Sequence, residues 1–106
     1  MCGILGFNFE DKTLLHKMSR CLAHRGPNSQ GTYSDDNITI GHQRLSIIDL
    51  SGKGKQPLFN EDRTIILSCN GEIYNFKELR KDLEAQGHRF YSDSDSEVIL
   101  HAYEAY

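Results

Sequence analysis

Short apolar runs separated by charged and glycine-rich turns set the plan of this chain. Gly3 to Phe9 is mostly apolar and reads as a buried strand. Asp11 then stands at the N-cap of a helix predicted from Lys12 to about His24. Its apolar residues Leu14, Leu15, Met18, Cys21 and Leu22 recur at the spacing of one helix face. That stripe assigns Met18 and Cys21 to the core. Arg25-Gly26-Pro27 breaks the helix. Thr32 to Ser34 and Ile38 to Gly41 read as short strands joined by Asp35-Asp36-Asn37, and the mixed run 44–50 continues the strand pattern. Ser51 to Gln56 is a loop whose two glycines lack the spacing of a phosphate-binding loop. The β-rich run Thr64 to Cys69 is predicted to be a central strand ending at the turn Asn70-Gly71. Asn75 caps a helix from Phe76 to Gln86, closed by Gly87, with Phe76, Leu79 and Leu83 facing inward. His88 to Tyr91 reads as a short strand. The Ser/Asp-rich segment 92–96 starts a last helix with Val98, Ile99, Ala102 and Tyr103 on one face.

Composition narrows the classes of function. The chain has 106 residues, 38% hydrophobic and 25% charged, which suits one globular domain or part of one. Its net charge is −3 and it has no Lys/Arg run, so neither nucleic acid nor an anionic membrane is an expected partner. No apolar stretch is long enough to span a bilayer and no secretion signal is visible, so the expected location is cytoplasmic. Three dispersed cysteines do not make a disulfide framework. Cys21-x-x-His24 has no second pair to complete a metal site, so no metal is expected. Asn37-Ile38-Thr39 matches a glycosylation acceptor but has no meaning without secretion. The last helix runs to Tyr106 without a terminator, which leads us to expect a longer natural chain.

Several polar positions carry candidate chemistry. Removal of Met1 would leave Cys2 with a thiol and a free α-amine on one residue. Such an amine has a pKa of about 7.7–8.0 and can serve as a base near neutral pH, while the thiolate is the nucleophile. Arg44 is either a surface residue or a bidentate anchor for a carboxylate. Asn70-Gly71 is either a plain turn or a pair of amide donors for an oxyanion. Asp95, taken alone, reads as a helix N-cap. Together, a thiol, two amide donors, a carboxylate anchor and an acidic ammonium anchor suit an α-amino acid with a reactive side-chain carbonyl, and glutamine fits.

The wording of the motifs is more specific than their chemistry. Met1-Cys2-Gly3-Ile4-Leu5-Gly6, His24-Arg25-Gly26-Pro27, Gly41 to Asp49 (GHQRLSIID), Gln56-Pro57-Leu58, Asn70 to Asn75 (NGEIYN) and Ser94 to Ile99 (SDSEVI) occur in order. This set resembles the glutaminase domain of glutamine-hydrolysing asparagine synthetases, a class II glutamine amidotransferase. The resemblance implies an α+β fold, part of an N-terminal nucleophile α-β-β-α sandwich that is incomplete here, with residues 1–106 a partial domain and the synthetase domain absent. It implies that Cys2 is the nucleophile and that Asn70 and Gly71 form the oxyanion hole. Arg44 would take the substrate α-carboxylate, Leu45, Ser46, Ile47 and Ile48 would line the pocket, and Glu72 and Asp95 would receive the α-ammonium. A γ-glutamyl thioester would form and release ammonia for ATP-dependent conversion of aspartate to asparagine. The implied partners are L-glutamine, a synthetase domain beyond Tyr106 and, as a further expectation, a second copy in a homodimer. No cofactor is expected in this chain, since ATP and Mg would belong to the synthetase domain. Where the family usually reads Arg-Gly-Pro-Asp, this chain has Asn28, which removes a carboxylate from a loop near the site. The alternatives are a related amidotransferase with another acceptor, such as a sugar or cell-envelope carboxylate, and a non-catalytic glutamine-binding or interaction module. The chain by itself is expected to be marginally stable and weakly active, because its sheet would lack partner strands.

Overall fold

The computed structural model describes residues 2–46 and 51–106. Along the chain run β1 (Gly3–Phe7), α1 (Lys12–Leu22), β2 (Ser29–Ser34), β3 (Thr39–Arg44), β4 (Leu58–Phe59), β5 (Ile66–Leu67), α2 (Phe76–Ala85) and α3 (Glu97–Ala105). Short 3-10 turns cover Ala23–Arg25 and Gly52–Gly54. The chain is therefore α+β. The strands form a three-stranded antiparallel sheet in the order β1-β3-β2 and a two-stranded β4-β5 ribbon.

β3 is the middle strand of the larger sheet. Gly3 pairs with Gln43, and Ser29 pairs with Arg44, so the C-terminal end of β3 is held on both sides. Along β1, buried Gly3 and Leu5 alternate with exposed Ile4 and Gly6. The strand is thus buried on one face rather than throughout, and Ile4 and Phe9 remain exposed. α1 packs on this sheet through Leu15 and Ser19. Asp11 caps it as expected, its Oδ1 accepting the Leu14 N–H at 2.9 Å. The buried stripe falls on Leu15 and Ser19, with Met18 and Leu22 half-buried, and Cys21 is exposed rather than in the core.

Two predicted strands take other forms, for one physical reason. In Thr64 to Cys69 only Ile66–Leu67 pair, and they pair with β4 at the end of a tight turn. That turn needs Arg63 at φ 60 and is tied by Asn60, whose Oδ1 accepts the Ile65 N–H at 2.9 Å. Beyond it, side chains take the backbone groups of Cys69 that a ladder would have used, leaving β3 as the central strand. His88 to Tyr91 forms no strand either. Glu61 takes the Arg89 N–H at 2.8 Å, and Glu97 takes the Tyr91 and Ser92 N–H groups at 2.9 Å each. Carboxylates thus stand where a partner strand was expected.

α2 ends at Gly87, whose φ of +98° favours glycine; the His88 N–H reaches back to the Leu83 carbonyl. Asn75 makes no side-chain cap. α2 and α3 pack together around Leu83, Val98 and Leu100. On α3 the buried face is Glu97, Val98, Leu100 and His101, while Tyr103 is 75% exposed. The expected apolar stripe is shifted because Glu97 and His101 are buried as a hydrogen-bonded pair. Arg80 of α2 holds the intervening segment by donating to the Ser92 carbonyl at 2.7 Å, with Phe90 under its guanidinium. Among the described residues, no helix is long and apolar enough to cross a membrane.

Candidate functional site

The end of β3 is unusual for the middle of a sheet. His42, Gln43 and Arg44 are all buried, although such residues are mostly exposed in folded proteins. A buried polar run needs fixed partners, and here they organise the entrance to a cavity.

That cavity measures about 340 Å³, at the small end of ordinary small-molecule clefts, which run from roughly 300 to 1,000 Å³. Its walls include Cys2 from the start of β1, Arg44 and Leu45 from the end of β3, Asn70, Gly71 and Glu72 from the turn after β5, and Asp95 before α3. These seven residues, all named from the sequence and spread over more than ninety positions, thus share one space. Ser46 lies outside its lining, and Ile47 and Ile48 fall outside the described residues.

Cys2 is half-buried. The Leu45 N–H points at its Sγ at 3.3 Å, and Sγ lies 3.7 Å from the Leu45 carbonyl oxygen. The sulfur is therefore positioned by the backbone that follows β3. Arg44 Nη1 donates to the Ser51 carbonyl at 2.8 Å, which fixes the guanidinium at the cavity wall. Asn28 stands over this corner. Its backbone N–H donates to the Arg44 carbonyl at 3.0 Å and its Oδ1 accepts the Ser46 N–H at 2.9 Å. The side-chain acceptor that an aspartate would supply is thus retained by the amide.

The opposite wall is held differently. Two buried side chains grip Cys69, just before the Asn70-Gly71 pair. Gln56 Oε1 accepts the Cys69 N–H at 2.6 Å, and His42 Nε2–H donates to the Cys69 carbonyl at 3.0 Å. The carbonyl can only accept, so the neutral ring carries its proton on Nε2. Burial holds His42 below the usual histidine pKa; the bond to Cys69 opposes that shift, and the nearby Arg44 charge adds to it. Gln56 is placed in turn by Gly31 of β2, where any Cβ would overlap the Gln56 carbonyl.

Asp95 is not the cap of α3. Ser96 occupies that position, and Asp95 Oδ2 instead accepts the Ile73 N–H at 2.6 Å. This bond joins the start of α3 to the 70–73 turn and leaves a buried carboxylate in the cavity wall. Gln56, His42, Tyr74, Ser94 and Ser96 were not singled out by sequence reasoning. Gln56 was visible only within a motif, and nothing about His42 in sequence signals its bond to a carbonyl 27 positions away.

A thiol, a buried guanidinium, exposed amide groups and a buried carboxylate around a cavity of this size can hold and attack a small zwitterionic amide. Comparison with known proteins gives the family. A family model described as a glutamine amidotransferase domain matches residues 1–106. The chain is 45% identical over 114 residues to "Asparagine synthetase [glutamine-hydrolyzing] 1" of Bacillus subtilis, covering all of this chain and 18% of that protein. The protein of the same name from Arabidopsis thaliana is 46% identical over 112 residues, with 19% of its length covered. The "Asparagine synthetase [glutamine-hydrolyzing]" of Zea mays is 43% identical over 112 residues, also with 19% covered. The chain spans about a fifth of the length of these relatives.

Proposed function

Since this chain belongs to the glutamine amidotransferase domain family, we propose that it hydrolyses glutamine through Cys2. In this reading the Cys2 thiolate adds to the side-chain carbonyl carbon of glutamine. The oxyanion that forms is held by the Asn70 side-chain amide and the Gly71 N–H. Its collapse breaks the C–N bond, expels ammonia and leaves a γ-glutamyl thioester. Water then cleaves the thioester to glutamate and restores the thiol. The α-amine of Cys2, freed by removal of Met1, takes the thiol proton and returns one to the leaving nitrogen. Arg44 takes the substrate α-carboxylate, and Asp95 with Glu72 takes the α-ammonium. Leu45 lines the path to the sulfur, with Ser46, Ile47 and Ile48 completing the segment beside it.

The names of the similar proteins extend the proposal. The ammonia would be consumed by an ATP- and Mg-dependent synthetase domain, downstream of Tyr106 in a longer protein, that converts aspartate to asparagine. The two sheets and three α-helices among the described residues fit one part of an α-β-β-α sandwich. A cytoplasmic location suits both the free thiol and the substrate.

The observation that carries this reading is the shared cavity of Cys2, Arg44, Asn70, Gly71, Glu72 and Asp95. The test is covalent trapping. The chain is prepared in two forms, one beginning at Met1 and one at Cys2, and each is treated with a glutamine-like electrophile and followed by intact mass. Single labelling at Cys2, protected by glutamine and faster by about 10²–10⁴-fold in the processed form, is expected. Equal rates in the two forms would remove the α-amine from its role as base. Labelling spread over Cys2, Cys21 and Cys69 without protection would remove the site altogether.

A further inference from the structure

We propose that Glu61, His88, His101 and Glu104 form a site for a divalent transition ion of the zinc type, separate from the cavity around Cys2. Glu61 comes from the β4–β5 turn, His88 from the segment after α2, and His101 and Glu104 from neighbouring turns of α3. One ligand atom from each lies within 4.8 Å of the other three. None of the four lines the Cys2 cavity.

Three of the six donor pairs are spaced close to those around a bound ion, and all six lie within 4.8 Å. His101 Nδ1 stands 3.3 Å from Glu61 Oε1. His88 Nδ1 stands 3.9 Å from the same oxygen and 3.7 Å from Glu104 Oε2. Around tetrahedral zinc, with bonds of about 2.0–2.2 Å, donor atoms stand about 3.3–3.5 Å apart. These pairs therefore need to close by about half an ångström or less.

His101 supplies an independent indication. Its side chain is 1% exposed, and its Nδ1 has no hydrogen-bond partner among the described residues. A buried ring nitrogen is rarely left so. The other nitrogen, Nε2, lies 3.3 Å from Glu97 Oε1. Glu97 is itself fully buried and is fixed by the Tyr91 and Ser92 N–H groups and by the Ser92 hydroxyl. A proton on Nε2, donated to Glu97, leaves the Nδ1 lone pair directed at the cluster. A buried carboxylate behind the far nitrogen is the arrangement that orients metal-bound histidines.

The glutamates are oriented as well. Glu61 Oε1 accepts the Arg89 N–H at 2.8 Å, and Glu104 Oε1 accepts from Asn60 Nδ2 at 3.2 Å, leaving Glu104 Oε2 toward His88. Two imidazoles and two carboxylates favour zinc-type ions, whereas calcium and magnesium prefer all-oxygen sites. The two carboxylate charges balance a divalent ion.

The test titrates the chelator-treated chain with Co²⁺, whose visible bands report coordination geometry and sulfur ligation, and then adds Zn²⁺. One ion per chain is expected, with tetrahedral-type bands, no thiolate charge transfer, and displacement by Zn²⁺. His88→Ala and Glu104→Gln change partly exposed side chains and so spare the fold, which melting in chelator checks. Each should weaken binding by about 10–100-fold or more, the range for loss of a supporting partner being the lower bound. Binding unaffected by both changes, thiolate bands that vanish in Cys2→Ala, or no saturable binding of Co²⁺ or Zn²⁺ below millimolar concentration would each overturn the proposal. The last result would make the cluster a set of charged neighbours beside a Glu97–His101 hydrogen bond and nothing more.

Discussion

The two walls of the cavity are built on different principles. The wall with Cys2 and Arg44 rests on the β1-β3-β2 sheet, whose backbone ladders hold it whatever side chains it carries. The wall with Asn70, Gly71 and Asp95 belongs to 56–97, whose backbone is held by side chains: Gln56 and, from β3, His42 on Cys69, Asp95 on Ile73, Glu97 on Tyr91 and Ser92. A ladder survives the loss of one side chain, whereas a backbone group held by a buried side chain loses its only partner. The first wall should therefore tolerate substitution structurally while failing chemically. The second should lose structure and chemistry together.

Cys2→Ala tests the first half of this contrast most severely. Glutamate release should fall by about 10⁴-fold or more, since the proposed nucleophile is gone, while melting shifts by no more than about 2–3 °C, a surface-sized change of ~0.5 kcal/mol. Measurable glutamate release by the alanine variant would break the assignment. Glu97→Ala is the counterpart in the second wall. It strands two N–H groups, a hydroxyl and the His101 ring in a buried place, and urea unfolding should show a loss of about 3–5 kcal/mol. A loss under ~1 kcal/mol would mean that water replaces the carboxylate. Arg44→Lys returns to the ladder wall. It keeps the charge but loses the planar fork, so KM for glutamine should rise about tenfold or more with little change in stability. Gln56→Ala leaves the buried Cys69 N–H without its acceptor. A loss of about 1–3 kcal/mol is expected, with kcat falling further than that change alone predicts because Asn70 and Gly71 shift. A kcat that is unaltered would detach the grip on Cys69 from the proposed oxyanion donors.

The smallest effect concerns pH. Burial lowers the His42 pKa in the folded state, so the unfolded chain binds the proton first. The contribution of neutral His42 is complete above the unfolded value of about 6.5 and declines as pH falls from there toward the folded pKa. Denaturant midpoints compared at pH 7.5 and 5.5 should differ more in the parent chain than in His42→Gln. The same difference in both would show that other groups set the slope.

The two walls were also unequally legible in the sequence. α1 with its Asp11 cap, α2 with Gly87 and the antiparallel strands around 29–44 follow from local patterning, because ladders and helices obey periodicity. Cys2, Arg44, Asn70, Gly71, Glu72 and Asp95 were visible as residues, and motif wording joined them. What sequence could not supply was the means of holding the second wall. A carboxylate that replaces a strand partner has no period. Thr64 to Cys69 and His88 to Tyr91 therefore read as strands, although Gln56, Glu61 and Glu97 hold their backbone. Asp95 sits one residue before the N-cap of α3, and only the fold brings Ile73 to it. Likewise, Glu61, His88, His101 and Glu104 carry no ligand spacing, since three separate segments contribute them.

The pairing of Gly3 with Gln43 imposes a timetable on Cys2. Cys2 is made well before the strand that β1 joins, which lies about forty positions later, and the cavity is not closed until Asp95 arrives. Synthesis at about 5–20 residues per second stretches the wait for β3 to roughly 2–8 seconds. Throughout it the Cys2 segment has no strand to pair with. The trimming of Met1 that the proposed mechanism needs, and attack of oxidants on the thiol, both have their widest opportunity then; once β1 docks against β3, the Leu45 backbone holds the sulfur in the cavity wall. In the proposed mechanism, trimming and docking are thus successive steps ordered by a single long-range strand pairing.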